Sequence, residues 1–521
     1  MKYSSKHLIT LSVIVCLFLL APQLAAVDGQ VQAVTGEAAK PPVIEKSDSE
    51  AGADDWDSDD WGDQEKTEVR TDVPAEQIYS LETCIKLVLN DSFFIKEANW
   101  NAMQAEARAD EAWWAWWPEI KVQSAFTLAP DYDPPDAQND PLGFVRYNNE
   151  SDPTNTGISG IIWGADVSLT QPLFTFGKIK AYREMGPLSS AYGKEQRRAT
   201  RAELIYNVEQ LYYTTLLLDE MGRVLKEGQK YLNDANQQLD EMLSEGSDSA
   251  TPEDRYKLEL VQSDVDARAE ELRENKRVAH ETMLALLNLP RDTPFYLDRT
   301  KLPKTPEESD DYKDNLARMI SERPEFKILE LGSKLARKEE NIEFGKFFPD
   351  FFLRLVYNYR VAPSIPDIQN PFFEDSYNQN SLAGYLGMQY KFDLPLQLAR
   401  HKQSKYKRHA FEEKRKSMAE MMKIELLQAS EKFTTYTRQV KIRKRSFKTG
   451  KKWVTAALMN YSLGIHDVDN LLDALTTYFE TQLSYFSSVH KALIARSKLD
   501  KIAAEKISGL IAEEKAATPK D

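Results

Sequence analysis

The chain has 521 residues, of which 42% are hydrophobic and 29% are charged, and its formal net charge is −15 at pH 7. After the first twenty residues no apolar run reaches the ~18 residues that a membrane-spanning helix needs, which excludes a protein with several transmembrane helices. The acidic balance argues against nucleic acid as a partner, because neutralising phosphates requires a basic surface. With only Cys16 and Cys84, a disulfide scaffold is also excluded.

The N-terminus has the layout of a secretory signal. Lys2 and Lys6 precede a thirteen-residue apolar stretch at 8–20, and the small residues Ala25 and Ala26 follow. We therefore expect a signal peptide at 1–26. The alternative is an N-terminal membrane anchor, but thirteen residues are too few to cross a bilayer as a helix.

An acidic leader (27–76) follows the signal. Between Glu45 and Glu68 it holds eleven Asp and Glu residues against two lysines, with two Asp-Asp-Trp repeats. This charge density leaves too little apolar surface to offset the entropy of ordering, so we expect a disordered, solvated segment. A calcium loop is the alternative, but Asp60 stands where its turn needs glycine and Lys66 where its bidentate glutamate should be.

From residue 77 onward one pattern of elements occurs twice: a helix, a strand, a polar loop, a return strand and two long helices joined by a turn. We predict a first repeat at 77–290, a connecting segment at 291–311, a second repeat at 312–508 and a C-terminal tail at 509–521. The predicted strands of the first repeat are at about 118–128 and 160–172, and its long helices are at 177–245 and 254–287. The predicted strands of the second repeat are at about 349–360 and 383–395, and its long helices are at 398–462 and 470–508.

The first long helix carries a leucine every seven residues, which is typical of a coiled-coil seam. At ~1.5 Å per residue such a helix would extend about 100 Å. The heptad positions are Leu204, Leu211, Leu218, Leu225, Leu232 and Leu239.

The predicted strands alternate apolar and polar side chains, which suits a strand between lipid and a watery lumen. In the first return strand Ala165, Val167 and Leu169 share one face, and Asp166 and Ser168 share the other. Four strands are too few to close a membrane barrel, and an open strand edge is not tolerated in lipid. Other copies of the chain must therefore complete the sheet; two copies would give eight strands and three would give twelve.

Aromatic residues cluster where the opening helix of each repeat ends and the next strand begins. Amphipathic rings favour the surface of a bilayer, so we interpret both clusters as membrane-interface aromatics. A buried aromatic core is the alternative. The residues concerned are Trp113, Trp114, Trp116, Trp117, Phe347 and Phe348.

Several motifs stand at the joints between predicted elements. Each repeat has a strand that starts at proline, Pro118 or Pro349, and the first repeat has the turn Gln171-Pro-Leu-Phe-Thr-Phe-Gly177. The second repeat has Arg323-Pro-Glu325 and, most specifically, Tyr461-Ser-Leu-Gly464, Asn470-Leu-Leu-Asp-Ala474 and Thr476-Thr-Tyr478. Together these motifs resemble those of the TolC-like outer membrane efflux proteins over roughly 77–508.

The resemblance implies an α+β membrane protein, a homotrimer in which twelve strands close one outer membrane β-barrel and the helices continue it as a long periplasmic α-helical barrel. It implies a passive exit duct for efflux or secretion substrates, gated by an iris-like periplasmic tip. The implied partners are the other two copies, a periplasmic adaptor, an inner membrane pump and outer membrane lipid, without nucleic acid. The implied location is the cell outer membrane, with a large periplasmic portion.

Two acidic rings narrow the tip in this family, and their positions correspond to Asn470 and Asp473 of this chain. Asp473 matches the family, whereas Asn470 replaces an acid, and the nearby Asp467 and Asp469 could compensate. Acids that converge on a symmetry axis would attract cations. The alternative is that these aspartates only start a helix, where the macrodipole favours a negative charge.

The family also latches its tip through a tyrosine and an arginine on this turn. Tyr461 corresponds to the tyrosine, and His466 stands in the place of the arginine. The partners of the latch would lie on the other helical turn, around Thr251 and Asp254.

The helix predicted at 398–462 is strongly basic, with eighteen Lys and Arg against five Asp and Glu between Leu398 and Lys452. The simplest interpretation is a solvated face that complements acidic neighbours. Docking of an acidic adaptor or attraction of anionic cargo is the alternative.

Two other classes of function need comparison with a duct. A periplasmic coiled-coil scaffold or adaptor would have no lipid-facing strands, and an enzyme would need a site. The six histidines form no cluster with metal-ligand spacing, and the sequence holds no glycine-rich phosphate loop or nucleophile elbow. We therefore expect no enzyme activity, no catalytic residue, no bound metal and no cofactor.

Overall fold

The computed structural model describes residues 74, 77–130, 158–245, 251–307, 312–363, 375 and 377–504. The predicted signal peptide (1–26) and C-terminal tail (509–521) lie outside the described residues, as does the acidic leader apart from Pro74.

The described residues form long helices and one main sheet. The strands are β1 (Ile78–Tyr79), β2 (Glu119–Pro130), β3 (Ile158–Phe174), β4 (Tyr296–Leu297), β5 (Asp350–Val361) and β6 (Gln379–Gln389). The helices are α1 (Leu81–Asp91), α2 (Phe93–Trp114), α3 (Lys178–Ser244), α4 (Pro252–Leu287), α5 (Tyr312–Glu322), α6 (Pro324–Gly345), α7 (Leu394–Ser462) and α8 (Val468–Ile502).

The chain divides into two units. Unit 1 consists of Met1–Val88, Asn207–Glu308 and Phe433–Ser497, and unit 2 consists of Leu89–Tyr206, Ser309–Lys432 and Lys498–Asp521. The main sheet lies entirely in unit 2. The long helices α3 and α7 each contribute a segment to both units.

The main sheet of unit 2 is antiparallel, with strand order β2-β3-β5-β6. The outgoing strands β2 and β5 begin at Glu119 and Asp350, one residue after Pro118 and Pro349. Proline has no backbone N–H to donate to a ladder, so it suits the residue that precedes a strand. Among the described residues, β2 and β6 each pair with a single strand and form the two edges.

A tight turn leads from β3 into α3. Phe176 and Gly177 both have positive φ, 46° and 85°, a conformation that glycine adopts without strain. The Oγ1 of Thr175 then accepts a hydrogen bond from the Ile179 amide at 3.3 Å, which satisfies one of the free donors at the helix start.

The return strand of the second repeat ends earlier than the sequence indicates. The expected strand at 383–395 is observed at Gln379–Gln389, and α7 already begins at Leu394. Pro395 suits the first turn of a helix, because the amide that it lacks would have no intrahelical partner there. The Gln397 amide donates to the Asp393 carbonyl at 2.9 Å and closes the first helical bond.

Unit 1 is a helical assembly whose core follows the heptad leucines. Leu232 and Leu239 of α3 are buried together with Leu258 of α4 and Leu471 of α8. In unit 1 the short strands β1 and β4 pair in parallel. Among the described residues, no helix has the length and apolar character that crossing a bilayer would require.

Cys84 lies in unit 1 on α1, where its side chain is completely buried as a free thiol. Burial, assisted by the negative charge of Asp298, raises the pKa of this thiol to about 12. Cys84 therefore packs as a small apolar side chain.

Candidate functional site

The main sheet has one face that is apolar across all four strands. The register places Val122, Val167, Tyr357 and Leu382 side by side on β2, β3, β5 and β6. Val122 and Leu382, on the two edge strands, are 68% and 76% exposed, so this row is not the core of a single chain. Further exposed apolar side chains of the edge strands are Ile120, Phe126, Leu128, Leu386 and Met388.

The opposite face of the sheet is polar. One residue further along β2 the register aligns Gln123, Asp166, Asn358 and Ser381. Because side chains alternate between the faces of a strand, the two rows face opposite sides of the sheet. An apolar face with a polar reverse is the pattern of a strand between lipid and water.

The tryptophans at the end of α2 are all exposed in the single chain. Trp114 and Trp117 make an edge-to-face contact at 5.5 Å, and the Arg183 guanidinium carbon lies 4.3 Å from the centre of the Trp113 ring. Trp116 packs edge-on against Trp117 at 5.9 Å. This geometry does not form a buried aromatic core within one copy, and it leaves the rings available to the surroundings.

The phenylalanines at the end of α6 pack against the turn between β3 and α3. The ring of Phe348 stacks on Phe176 at 4.7 Å, and Phe347 lies edge-on to His401 at 5.7 Å. Lys178 Nζ lies 2.6 Å from Asp350 Oδ1, where β5 begins. The helix-to-strand joint of the second repeat is therefore fixed to the strand-to-helix joint of the first.

In unit 1, the turn between α3 and α4 is closed by Thr251 and Asp254. The amide and the hydroxyl of Thr251 both donate to Asp254 Oδ2 at 2.9 Å, so the Asp254 side chain caps the start of α4. Asp254 is buried although it is charged. These two predicted latch partners thus contact each other.

The turn between α7 and α8 is closed by Gly464 and Asp467. Gly464 has φ 67° and its amide donates to the Tyr461 carbonyl at 3.0 Å, which ends α7. Asp467 Oδ1 accepts hydrogen bonds from the Asn470 amide at 3.2 Å and from Asn470 Nδ2 at 2.6 Å. These bonds lower the pKa of the Asp467 carboxyl, so Asp467 acts as a helix cap.

One lysine joins the two turns. Lys257 Nζ lies 2.7 Å from Asp469 Oδ2 and 3.5 Å from Asp254 Oδ1. The hydrogen bond to Asp469 is the main cause of a raised pKa at Lys257. The sequence did not single out this lysine, because 212 residues separate it from Asp469 and no motif links them.

Tyr461 is buried beneath these contacts. Its ring is 2% exposed and packs among the core side chains of α3, α4 and α8. Burial, assisted by the negative charge of Asp254, raises the pKa of the Tyr461 phenol. Its Oη has no hydrogen-bond partner among the described residues.

Two predicted tip residues stand apart from this network. Asp473 and His466 are exposed, and neither side chain makes a hydrogen bond or an ion pair with a described residue. Within the described ranges, no group of three or more His, Cys, Asp or Glu side chains could hold a metal ion. Of the carboxylates at the two turns, Asp254 and Asp467 cap helices and Asp469 is paired with Lys257.

Comparisons with known proteins identify a matching family and solved structures with the same fold. Residues 84–264 match the family model of the outer membrane efflux proteins (OEP). The outer membrane protein VceC from Vibrio cholerae has the same fold, with a TM-score of 0.65 and 13% identity, covering 81% of this chain and 95% of that one. No curated protein matches the chain.

Two further solved structures share the fold. The Campylobacter jejuni CmeC outer membrane channel has a TM-score of 0.65 and 12% identity, covering 82% of this chain and 88% of that one. The open state of the Neisseria gonorrhoeae MtrE outer membrane channel has a TM-score of 0.62 and 13% identity, covering 81% and 88%. With the family match at 84–264, the resemblance of this chain to the TolC-like outer membrane efflux proteins is confirmed.

Proposed function

We propose that the chain forms an outer membrane channel that gives efflux or secretion substrates a passive exit to the exterior. The observation that carries the proposal is the four-stranded sheet, which has an exposed apolar face, a polar reverse and two edges. An apolar face of this kind would be covered by lipid, and edges inside a bilayer must be paired.

We propose that three copies complete the barrel. The pairings β2-β3, β3-β5 and β5-β6 are all antiparallel, so β6 runs opposite to β2. β6 of one copy can therefore pair with β2 of the next in an antiparallel ladder. Three copies give twelve strands, and the resemblance to TolC-like proteins favours three over two.

The aromatic residues at the joints between helices and strands suggest that the surface of the bilayer lies at these joints. Trp113, Trp114, Trp116 and Trp117 are proposed to lie at the interface between lipid and periplasm, together with Phe347 and Phe348. The strands on one side of this level would be in the bilayer, and the helices on the other side would continue the duct as a periplasmic helical barrel.

The two helical turns of unit 1 are proposed to form the periplasmic tip. Asp473 is proposed to line the constriction, because it is exposed and has no described partner. Three neighbouring side chains would line it as well. Asp469 is paired with Lys257, and Asp467 and Asn470 are hydrogen-bonded to each other at the start of α8. Three copies of Asp473 around an axis would repel one another and attract cations.

The tip latch is proposed to work differently from the sequence expectation. Tyr461 would contribute its buried ring, the pair of Thr251 and Asp254 would fix the start of α4, and Lys257 would hold Asp469. His466 would remain at the surface of the turn. Opening like an iris then requires the two turns to separate and the lysine to release its partner.

The remaining parts of the proposal concern partners. A channel without catalysis of its own depends on an inner membrane pump for energy and on a periplasmic adaptor that docks on the tip. The chain would reside in the outer membrane with a large periplasmic portion, and the exposed acids of the tip suit an adaptor with basic side chains.

The experiment that tests this function uses the full chain, purified in detergent from outer membrane fractions. We expect a mass of three copies that resists dissociation on gels without heating, and cation-selective channels in planar bilayers. A water-soluble monomer that leaves bilayers electrically silent would favour the scaffold or adaptor class instead.

A further inference from the structure

The helix α7 changes character along its length. Near its start, basic side chains are neutralised by acids of α6, as in the ion pairs of Lys407 with Glu339 at 2.7 Å and of Arg408 with Glu340 at 2.5 Å. Between Glu431 and Asp467 the helix has no acidic residue and carries nine Lys and Arg, seven of them within 441–452. Acidic neighbours on α6 therefore neutralise Lys407 and Arg408 of the first part, and among the described residues no such pairs are found for several side chains of the second.

The second part presents charges that the described protein does not neutralise. The side chains of Lys441, Lys444, Arg445 and Lys452 are exposed and make no hydrogen bond or ion pair with any described residue. They are spaced 3, 1 and 7 residues apart, which places them on one face of the helix, and we define them as the basic stripe. Like charges at this spacing repel each other, so the stripe is poised to bind an anionic partner.

Apolar surface borders the basic stripe. Ile442 and Trp453 are 62% and 47% exposed on α7, directly beside stripe residues. An occupant that combines carboxylates with aromatic rings would therefore match the surface better than a simple anion, because indole rings also pack on Lys and Arg.

The acidic leader has this composition and enters unit 1 close to the stripe. Its 45–68 segment carries a net charge of −9, from eleven acids and two lysines, and the rings of Trp56 and Trp61. The chain continues from it into β1, which pairs with β4, and Leu302, shortly after β4, packs against the buried cluster that contains Val440. Val440 directly precedes the first residue of the basic stripe.

The length of the connection permits the contact. Ten residue steps separate Glu68 from Ile78, which span up to about 35 Å when extended. The basic stripe itself covers eleven steps of helix, about 16 Å at ~1.5 Å per residue. A tethered segment also acts at a high effective concentration, so modest affinity suffices for occupancy.

We propose that the 45–68 segment of the acidic leader docks on the basic stripe of α7. Its carboxylates bind the exposed Lys and Arg side chains, and its tryptophans pack beside Ile442 and Trp453.

The test measures the reactivity of lysines in the full mature chain and in a variant that lacks 45–68. Both proteins are acetylated briefly in detergent at low salt, and each lysine is quantified by mass spectrometry. We expect deletion to raise the acetylation rates of Lys441, Lys444 and Lys452 several-fold. Lys402, Lys405 and Lys414 are exposed on the same helix outside the stripe and should react equally in both proteins.

A binding measurement tests the same contact directly. A fluorescent peptide of residues 45–68 should bind the variant that lacks this segment, and high salt should weaken it, because screening shortens the range of charge interactions. The triple change Lys441→Gln, Lys444→Gln and Lys452→Gln should abolish binding. The matched triple change Lys402→Gln, Lys405→Gln and Lys414→Gln removes the same charge and should preserve it.

The outcomes are distinct. Equal acetylation of the stripe lysines with and without 45–68 would overturn the proposal. High reactivity in both proteins would mean an open stripe, and low reactivity in both would mean that a second copy of the chain covers it. Equal loss of peptide binding in the two triple variants would likewise overturn it, by showing attraction to overall charge instead of docking.

Discussion

Lys257 and Asp469 form an ion pair between the two helical turns of unit 1, with 2.7 Å between Nζ and Oδ2. If this pair helps to hold the tip closed, Lys257→Gln and Asp469→Asn should each make opening several-fold more frequent in planar bilayers. Both side chains are partly exposed, so salt should screen the pair, and the difference from the unchanged protein should shrink as the salt concentration rises.

The control for this prediction is an exchange of charges. Lys257→Asp combined with Asp469→Lys should restore much of the closed state, because the attraction is retained. Lys230→Gln removes an exposed lysine of α3 in the same unit and should leave opening unchanged. If all three single variants behave alike, the pair does not control the tip.

Asp473 should determine how divalent cations block the channel. Its carboxylate is exposed and has no described partner, so three copies near an axis would bind Mg²⁺ more strongly than isolated acids would. Asp473→Asn should weaken block by Mg²⁺ in single-channel recordings. Glu259→Gln removes an exposed acid of α4 and should leave block intact; unaltered block in Asp473→Asn would place this residue outside the constriction.

Tyr461 should act through its ring and not through its hydroxyl. The buried Oη has no described hydrogen-bond partner, so Tyr461→Phe should keep or raise the thermal stability and leave the conductance unchanged. Tyr461→Ala should cost roughly 3–5 kcal/mol, because truncating a large buried ring leaves a cavity. Spontaneous opening in the Tyr461→Phe channel would instead show that the hydroxyl is part of the latch.

Strand starts and the coiled-coil seam could be predicted from the sequence, because they follow from local motifs and repeats. Pro118 and Pro349 indicated strands that the structure begins one residue later, and the heptad leucines indicated a seam that contains the buried Leu232 and Leu239. Both signals are local, because a proline or a repeating leucine constrains its own element whatever lies elsewhere.

Contacts between elements that are distant in sequence could not be predicted. The pairing of Lys257 with Asp469 depends on how two separate turns pack, and no spacing rule links them. The engagement of Asn470 by Asp467 is local, but the sequence equally allowed both side chains to face a pore. Pro395 suggested the end of a strand, whereas the structure uses it in the first turn of α7, and both are positions that proline tolerates.

The apolar face of the sheet should be sensitive to charge. Val122→Arg places a guanidinium on the exposed apolar face of the edge strand β2. In a bilayer, each lipid-facing arginine near the midplane destabilises a barrel by ~2–4 kcal/mol. Gln123→Arg is the matched control, because it adds the same side chain to the polar face opposite Asp166. Loss of heat-resistant trimers from outer membrane fractions is expected for Val122→Arg alone, and equal assembly of both variants would contradict a lipid-facing row.

His490 should make unit 1 sensitive to mild acid. It is buried on α8 with Nε2 3.1 Å from Thr214 Oγ1, and burial, helped by the charge of Lys491, lowers its pKa to about 4. The neutral imidazole therefore stabilises the fold fully above the unfolded pKa of about 6.5, and this contribution is lost as the pH falls through about 4. The shift corresponds to on the order of 3 kcal/mol per copy, since one pKa unit is worth about 1.4 kcal/mol.

The measurement compares urea unfolding midpoints in detergent at pH 7.5 and at pH 4.5, an interval over which most of this contribution is lost. Carboxylates also titrate in this range, so the informative quantity is the difference between variants. His490→Gln can still donate to Thr214 but does not titrate, so its midpoint should fall less on acidification than that of the unchanged protein. His466→Gln removes an exposed imidazole and should retain the full acid sensitivity; if His490→Gln retains it as well, the acid response arises from other groups.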